Sequence, residues 1–413
     1  MGTLQTLLIF FGGLLPLALI AYQAGRRKAV GQIADERMHS RPQQYGWYSV
    51  VWMALPAIAV GLAGAFIQLI GLGEAPEPMI LTAALVAAAG GLSYAIRAIR
   101  PTLRARNFLD TVIRRLLLLA ALVSIATTIA ILLSIIFEAI RFFGMVNFWS
   151  FITGTEWAPG QAFLIGAGRA EADEVAANFG SVPLFAGTFM VTLIAMAVAL
   201  PIGLLSAIYM AEYATRRIRG LAKPTLEVLA GIPTVVYGFF AAITVSPFVV
   251  ELASWFGVEA SYTNILAPGV VMGVMIIPFI SSLADDVMSS IPQEMREGAF
   301  ALGTTHSEAI KHVLLPAAMP GITSAALLGV SRALGETMIV VMAAGLLANL
   351  TANPLETMTT VTVQIVDLLT GDQAFDSPAT LSAFGLGLVL FIVTLIINLV
   401  STIMVRRFRQ QYD

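Results

Sequence analysis

The 413-residue chain is 58% hydrophobic and only 12% charged, with a mean hydropathy of +0.86; soluble domains carry about twice that charged fraction, so a water-covered globule is excluded. A formal net charge of −2 offers nothing to nucleic acid. Without a single cysteine there are no disulfides, thiolate metal sites or cysteine nucleophiles, and His39, His306 and His312 form no HExxH pair, so neither a metal nor a cofactor is expected in the chain itself.

Apolar stretches of the length a spanning helix needs, about 17–25 residues, are predicted over residues 3–22, 50–72, 80–96, 116–140, 185–211, 228–250, 265–283, 322–350 and 381–405. No basic residue precedes the first stretch, and Arg26, Arg27 and Lys28 follow it, so it reads as a retained helix and not a cleaved signal peptide. All Lys and Arg residues except Arg141, Arg169 and Arg332 fall in alternate connections or after the last span. Opposite loops carry Glu74 and Glu77, then Glu251 and Glu259, then Glu356, Asp367, Asp372 and Asp376. Basic loops stay in the cytoplasm, which predicts an outside N-terminus, nine helices and a cytoplasmic C-terminus. The five tryptophans, Trp47, Trp52, Trp149, Trp157 and Trp255, lie at span ends or in flanking loops, as interfacial anchors do.

The basic stretch 97–115 divides the chain into an accessory three-helix membrane region, 1–107, and a six-helix part, 108–413. Between the fourth and fifth spans, the outside connection 141–183 is too long for a tight turn and is expected to form a small cap facing a periplasmic partner. Gly231, Pro233, Tyr237 and Gly238 lie inside the sixth stretch, where proline frees a carbonyl and glycine admits a neighbouring helix. They form either a kinked packing helix or a gate at the interface with a second subunit.

The cytoplasmic loop 285–316 encodes two short helices. Pro292 suits a first helical turn, Gly303 a left-handed helix end, and Thr305 with Glu308 has capping-box spacing. Arg332 and Glu336 then lie within the eighth stretch. Counted from Ala317, Arg332 is about 22 Å along a helix, and placing it in hydrocarbon costs at least ~2.5 kcal/mol. Two readings stand. The residues are a structural ion pair on one helix face, or they line an anion path, the guanidinium offering a planar fork to phosphate oxygens. In the second reading Glu336 positions Arg332 or accepts a hydrogen bond from a protonated phosphate oxygen, which sulfate does not have.

The loop resembles the EAA loop of ABC importer permeases, through Glu297, Gly298, Ala299, Gly303, Val313, Leu315 and Pro316. That resemblance implies a coupling helix that docks on an ATPase subunit, with Glu297 as the main polar contact. The chain is not that ATPase: Lys28, Lys223 and Lys311 follow Arg27, Ala222 and Ile310, so no Walker A loop is present. Over roughly 108–413, the runs FITGTEWAPG, LLSAIYMAEYA, LAGIPTVVYGFF and SRALGETM are similar to PstC-type permeases of phosphate ABC importers. The resemblance implies an all-α, polytopic bacterial inner-membrane protein with a six-helix permease core and three extra N-terminal helices. Its implied partners are a PstA-like second permease, two ATPase subunits holding ATP and Mg²⁺, a periplasmic phosphate-binding protein, phosphate and the lipid bilayer. Arg332 and Glu336 take the family's place in phosphate passage. A permease for sulfate or molybdate, or a secondary anion transporter, is the competing expectation.

Overall fold

In the computed structural model, residues 3–33, 38–69, 77–160, 178–370 and 376–409 are described. Regular structure is helical apart from one antiparallel hairpin, β1 (Trp157–Ala158) with β2 (Asn178–Phe179). Among the described residues, eight helices are long and apolar enough to cross a membrane: Pro42–Ile67, Pro78–Ala98, Ala105–Met145, Val182–Tyr213, Thr234–Trp255, Leu266–Ser289, His306–Leu334 and Pro378–Ile403. The first predicted stretch falls in helix α1 (Thr3–Ile33), whose earliest side chains lie outside the described residues. So do Arg37, Glu74, Asp372 and the middle of the expected cap, including Arg169.

The chain forms two compact units, residues 1–129 and 130–413. In the first, α1, α2 (Pro42–Leu69), α3 (Glu77–Ala98) and the start of α4 (Ala105–Met145) bury Ala29, Tyr45, Tyr48, Ala95, Ile99 and Ala105. Small residues let the backbones approach while aromatic rings fill the remaining space; Trp52 stacks on Phe108 with 5.9 Å between centroids. Carbonyls near the end of α3 find side-chain donors, Lys28 on Ile96 and the Tyr45 hydroxyl on Leu103, because a helix end in an apolar setting cannot leave them bare.

The second unit is built on α6 (Val182–Ile208) packed along α10 (Leu266–Ser289), the most buried of the spanning helices. Val191, Ala195, Ala199, Met272, Ile276 and Ile280 fill the contact. Gly273 is obligatory there, since a Cβ would stand 2.8 Å from the Ala195 carbonyl oxygen. Helix α4 ends in this unit beside the short α5 (Phe148–Thr153). The remaining helices are α7 (Arg216–Ala230), α8 (Thr234–Phe240), α9 (Ser246–Trp255), α11 (Gln293–Ala301), α12 (His306–Ala309), α13 (Leu315–Leu334), α14 (Met338–Ala343), α15 (Val361–Thr370) and α16 (Pro378–Arg409).

Two predicted spans are corrected. The sixth does not begin at residue 228: Val228 belongs to α7, which stops at Ala230, and α8 restarts at Thr234 because Pro233 has no N–H and keeps the preceding residue out of helix. The eighth does not run to residue 350. It extends from His306 to Leu334, stops at Gly335, and gives way to the six-residue α14. The segment after α14 folds back as α15, which sequence periodicity did not reveal. Its polar groups are satisfied internally: the Thr188 hydroxyl accepts the Val361 N–H at 3.0 Å, and the Gln364 amide donates to Leu346 carbonyl while accepting from the Trp157 indole, both at 2.9 Å.

Candidate functional site

The local structure of the loop 285–316, expected to couple to an ATPase, is assembled as its spacing requires. Helix α11 starts after Pro292, Gly303 takes φ +82° after the helix end, and the Thr305 side chain and Glu308 form a reciprocal capping box at the start of α12. The second short helix is not separate, however. It runs through a wide π-type turn, Ile310–Leu314, directly into α13, and the turn precedes the ring of Pro316. Ala299 is buried, whereas Glu297, Gly298 and Gly303 are exposed, and Glu297 has no partner among the described residues. Leu302, 87% exposed beside half-exposed Phe300, puts apolar area at the same tip.

What fixes this loop is a pair that the sequence reading passed over. Arg296 donates to Glu212 at 3.0 Å and to the carbonyls of Met288 and Ile291, both at 2.8 Å. One planar guanidinium thus caps the free end of α10 and ties α11 to the π-type turn Tyr209–Tyr213 that closes α6. The other carboxylate oxygen of Glu212 stands 3.9 Å from His306.

Arg332 occupies the last turn of α13, where a cation complements the helix dipole. Its guanidinium lies over the Phe279 ring, 5.3 Å from the centroid, and so at the middle of α10. It has no ion pair among the described residues. Glu336 does not reach it, because α13 ends between them; the carboxylate instead accepts the N–H groups of Met338 and Ile339, at 3.2 and 3.5 Å, at the start of α14. The expected sharing of one helix face is therefore lost, since the four-residue spacing matters only while the helix continues.

Arg332 and Phe279 together line two cavities. One, of about 610 Å³, has polar walls from Ser324, Ser331, Asn398, Ser401 and Thr402. The other, of about 200 Å³, is lined also by Lys223, Ser282 and Asp285. Asp285, 1% exposed on α10, accepts from Arg219 at 2.9 and 3.0 Å and from Lys223 at 3.2 Å. Lys223 is shared with Asp286, also at 3.2 Å. Hydrogen bonds that the Lys223 ammonium donates to Asp286 first and Asp285 second hold it above its usual pKa, so it remains charged at physiological pH. The signal was present in the sequence as paired carboxylates at a span end and basic residues four apart in RRIRGLAK.

Gly231, Pro233, Tyr237 and Gly238 cluster at the α7–α8 break. Gly231 caps α7 and Pro233 precedes α8, while the Tyr237 hydroxyl donates across the break to Leu229 carbonyl at 3.0 Å. Gly238 is buried against α14; a Cβ would come 2.9 Å from that of Met342. The segment thus touches the helix whose start Glu336 caps.

Comparison with known proteins follows this geometry. Residues 199–412 match the family described as binding-protein-dependent transport system inner membrane component, and residues 12–70 match one described as phosphate ATP-binding cassette transporter. The probable ABC transporter permease protein YqgH of Bacillus subtilis is 34% identical over 70% of this chain and 89% of its own. Phosphate transport system permease protein PstC 1 of Mycobacterium bovis is 35% identical over 63% of this chain and 83% of its own. PstC of Mesorhizobium japonicum is 27% identical over 73% and 94%. A family match over half of the chain, joined to that extent of identity, means that the chain belongs to the binding-protein-dependent transport system inner membrane components, the multi-pass permease subunits of ABC transporters.

Proposed function

We propose that the chain is the PstC-type permease subunit of a bacterial phosphate importer. It lies in the inner membrane with its N-terminus in the periplasm and its C-terminus in the cytoplasm. A PstA-like second permease, two ATPase subunits holding ATP and Mg²⁺, and a periplasmic phosphate-binding protein complete the machine. The observation that carries the reading is Arg332, a guanidinium with no ion pair among the described residues, on the shared wall of two mainly apolar cavities that also carry hydroxyl and amide groups. Its charge offsets the desolvation of a divalent anion, and its fork fits tetrahedral oxygens. The phosphate named for the relatives supports the choice among oxyanions, and the permease family argues against a secondary transporter.

Motion would enter through α11, with Glu297 and the exposed Leu302 seated on an ATPase and the Arg296–Glu212 tie passing the displacement to α6 and α10. Gly231, Pro233, Tyr237 and Gly238 form the hinge of the gate, because α7 can turn there without unwinding α8. The test is ATP-driven uptake of phosphate, sulfate and molybdate by the reconstituted complex, with complex recovery measured beside it. Arg332→Gln should abolish phosphate uptake in an assembled complex, and Arg332→Lys should recover little. Combining Arg332→Gln with Glu336→Gln should not restore transport, since the two side chains do not meet. Restoration by the double variant, or preferred uptake of sulfate or molybdate, would overturn the reading.

A further inference from the structure

Among the charged clusters of the second unit, the one at Asp285 combines three properties that a purely structural ion pair does not need. It borders a cavity, it shares that cavity with Glu227 and with Arg332, which has no ion pair among the described residues, and its buried carboxylate holds two cations, one of them shared with the exposed Asp286. We infer that the 200 Å³ cavity between α7, α10 and α13 is a second oxyanion station, beyond Arg332 toward the coupling loop, with Lys223 as its cation. The inference rests on the anion path proposed above.

Distances along α10 set the order of the stations. Phe279, under Arg332, and Asp285 are six residues apart, or about 9 Å along a helix, with Ser282 between them on the wall of the cavity. The volume is several times the ~30 Å³ share of a liquid water, which leaves room for a tetrahedral anion with part of its hydration.

Lys223 is the group free to change partners. Arg219 alone makes two contacts with Asp285, at 2.9 and 3.0 Å, so the buried carboxylate stays satisfied if Lys223 leaves. The other partner, Asp286, is 65% exposed and returns to water at little cost. Lys223 bonds both carboxylates at 3.2 Å, longer than a charge-assisted hydrogen bond prefers. An arriving anion can therefore take the ammonium without stranding a buried charge. When the anion departs, Asp285 reclaims it, and the empty station is self-neutralised. Arg219, held by Asp285 and also by Ser289 at 3.0 Å, is the fixed cation of the pair.

Since the chain has no cysteine of its own, Ser282→Cys provides a reporter inside the cavity. The experiment measures modification of this cysteine by N-ethylmaleimide in the assembled, reconstituted complex at rising inorganic phosphate, alongside ATP-driven phosphate uptake. Phosphate should protect the cysteine. Adding Lys223→Gln should raise the phosphate needed for half-protection roughly ten-fold, the loss expected for one charge-assisted hydrogen bond, whereas Lys223→Arg should leave it nearly unchanged. A complex that takes up phosphate but shows no protection of Ser282→Cys overturns the station and leaves the Arg332 path standing. Protection that is indifferent to Lys223→Gln removes Lys223 from it. Failure of the parent complex to transport phosphate takes down both readings.

Discussion

At the scale of single residues, the charges that matter divide by whether they have spare bonding capacity. Arg296 has little: four of the five N–H donors a guanidinium carries are spent on Glu212 and on the carbonyls of Met288 and Ile291 at the end of α10, and Glu212 is 6% exposed. Removing one partner of such a pair leaves the other buried and uncompensated, a loss of about 3–5 kcal/mol. Arg296→Ala should accordingly lower recovery of the ATPase with the permease, and Arg296→Lys should not restore it, because an ammonium cannot span three acceptors in one plane. Co-purification of the ATPase from membranes holding equal amounts of each variant measures this. Unchanged recovery with Arg296→Ala would mean that the loop is held by apolar contacts alone. Arg332 is the opposite case, with a charge committed to an aromatic face and no carboxylate.

Among the elements, α11 is the one whose ends were set by local chemistry. Gly303 at φ +82° has open space around its Cα, so a side chain there would meet no neighbour and only the backbone conformation resists it. Gly303→Val should therefore impair coupling more than Gly303→Asn, since a β-branched residue disfavours the left-handed region and asparagine tolerates it; ATPase activity per phosphate transported in the reconstituted complex distinguishes them. Equal coupling ratios would show that this helix end carries no strain on which function depends. The same locality explains what was legible beforehand. Pro292, Gly303 and the Thr305–Glu308 box act within a few residues, and all three stand where their spacing placed them. The break after Leu334 was not legible, because the apolar run continues through Met338–Ala343 and Gly335 alone does not end a helix; tertiary support comes from the Thr362 hydroxyl, which donates to the Glu336 carbonyl at 2.9 Å. Asp285 was hidden similarly, since its cations arrive from α7, about sixty residues earlier in the chain. Residue type marked Arg332 as a candidate, but only the fold separated it from Glu336.

For the molecule as a whole, orientation follows from the alternation of basic connections, and the apparent exceptions test that logic. Arg141 and Arg169 are the two basic residues of the outside connections; Arg169 lies outside the described residues, and Arg141 bonds Glu138 at 2.7 Å and Asp376 at 2.8 Å. Two arginines in this connection are outnumbered by the twenty basic residues of the alternate connections and the C-terminal end, and it is that excess which sets the orientation. Arg216, Arg217, Arg219 and Lys223 all lie in α7, in the connection after the fifth span, with no acid in the helix's first turn. In the proposed orientation, retention of the short basic connections in the cytoplasm sets every span in sequence. A reporter active only in the periplasm should be active when inserted at Glu77 and silent when fused after Arg407. Seven spans separate the two sites whether or not α1 crosses the bilayer, so the pair tests the orientation alone; a truncation beginning at Pro42 should leave the Arg407 fusion silent if the basic connections, and not the first helix, set that orientation. An active fusion after Arg407 in the full chain would overturn both the orientation and the cytoplasmic placement of the coupling loop.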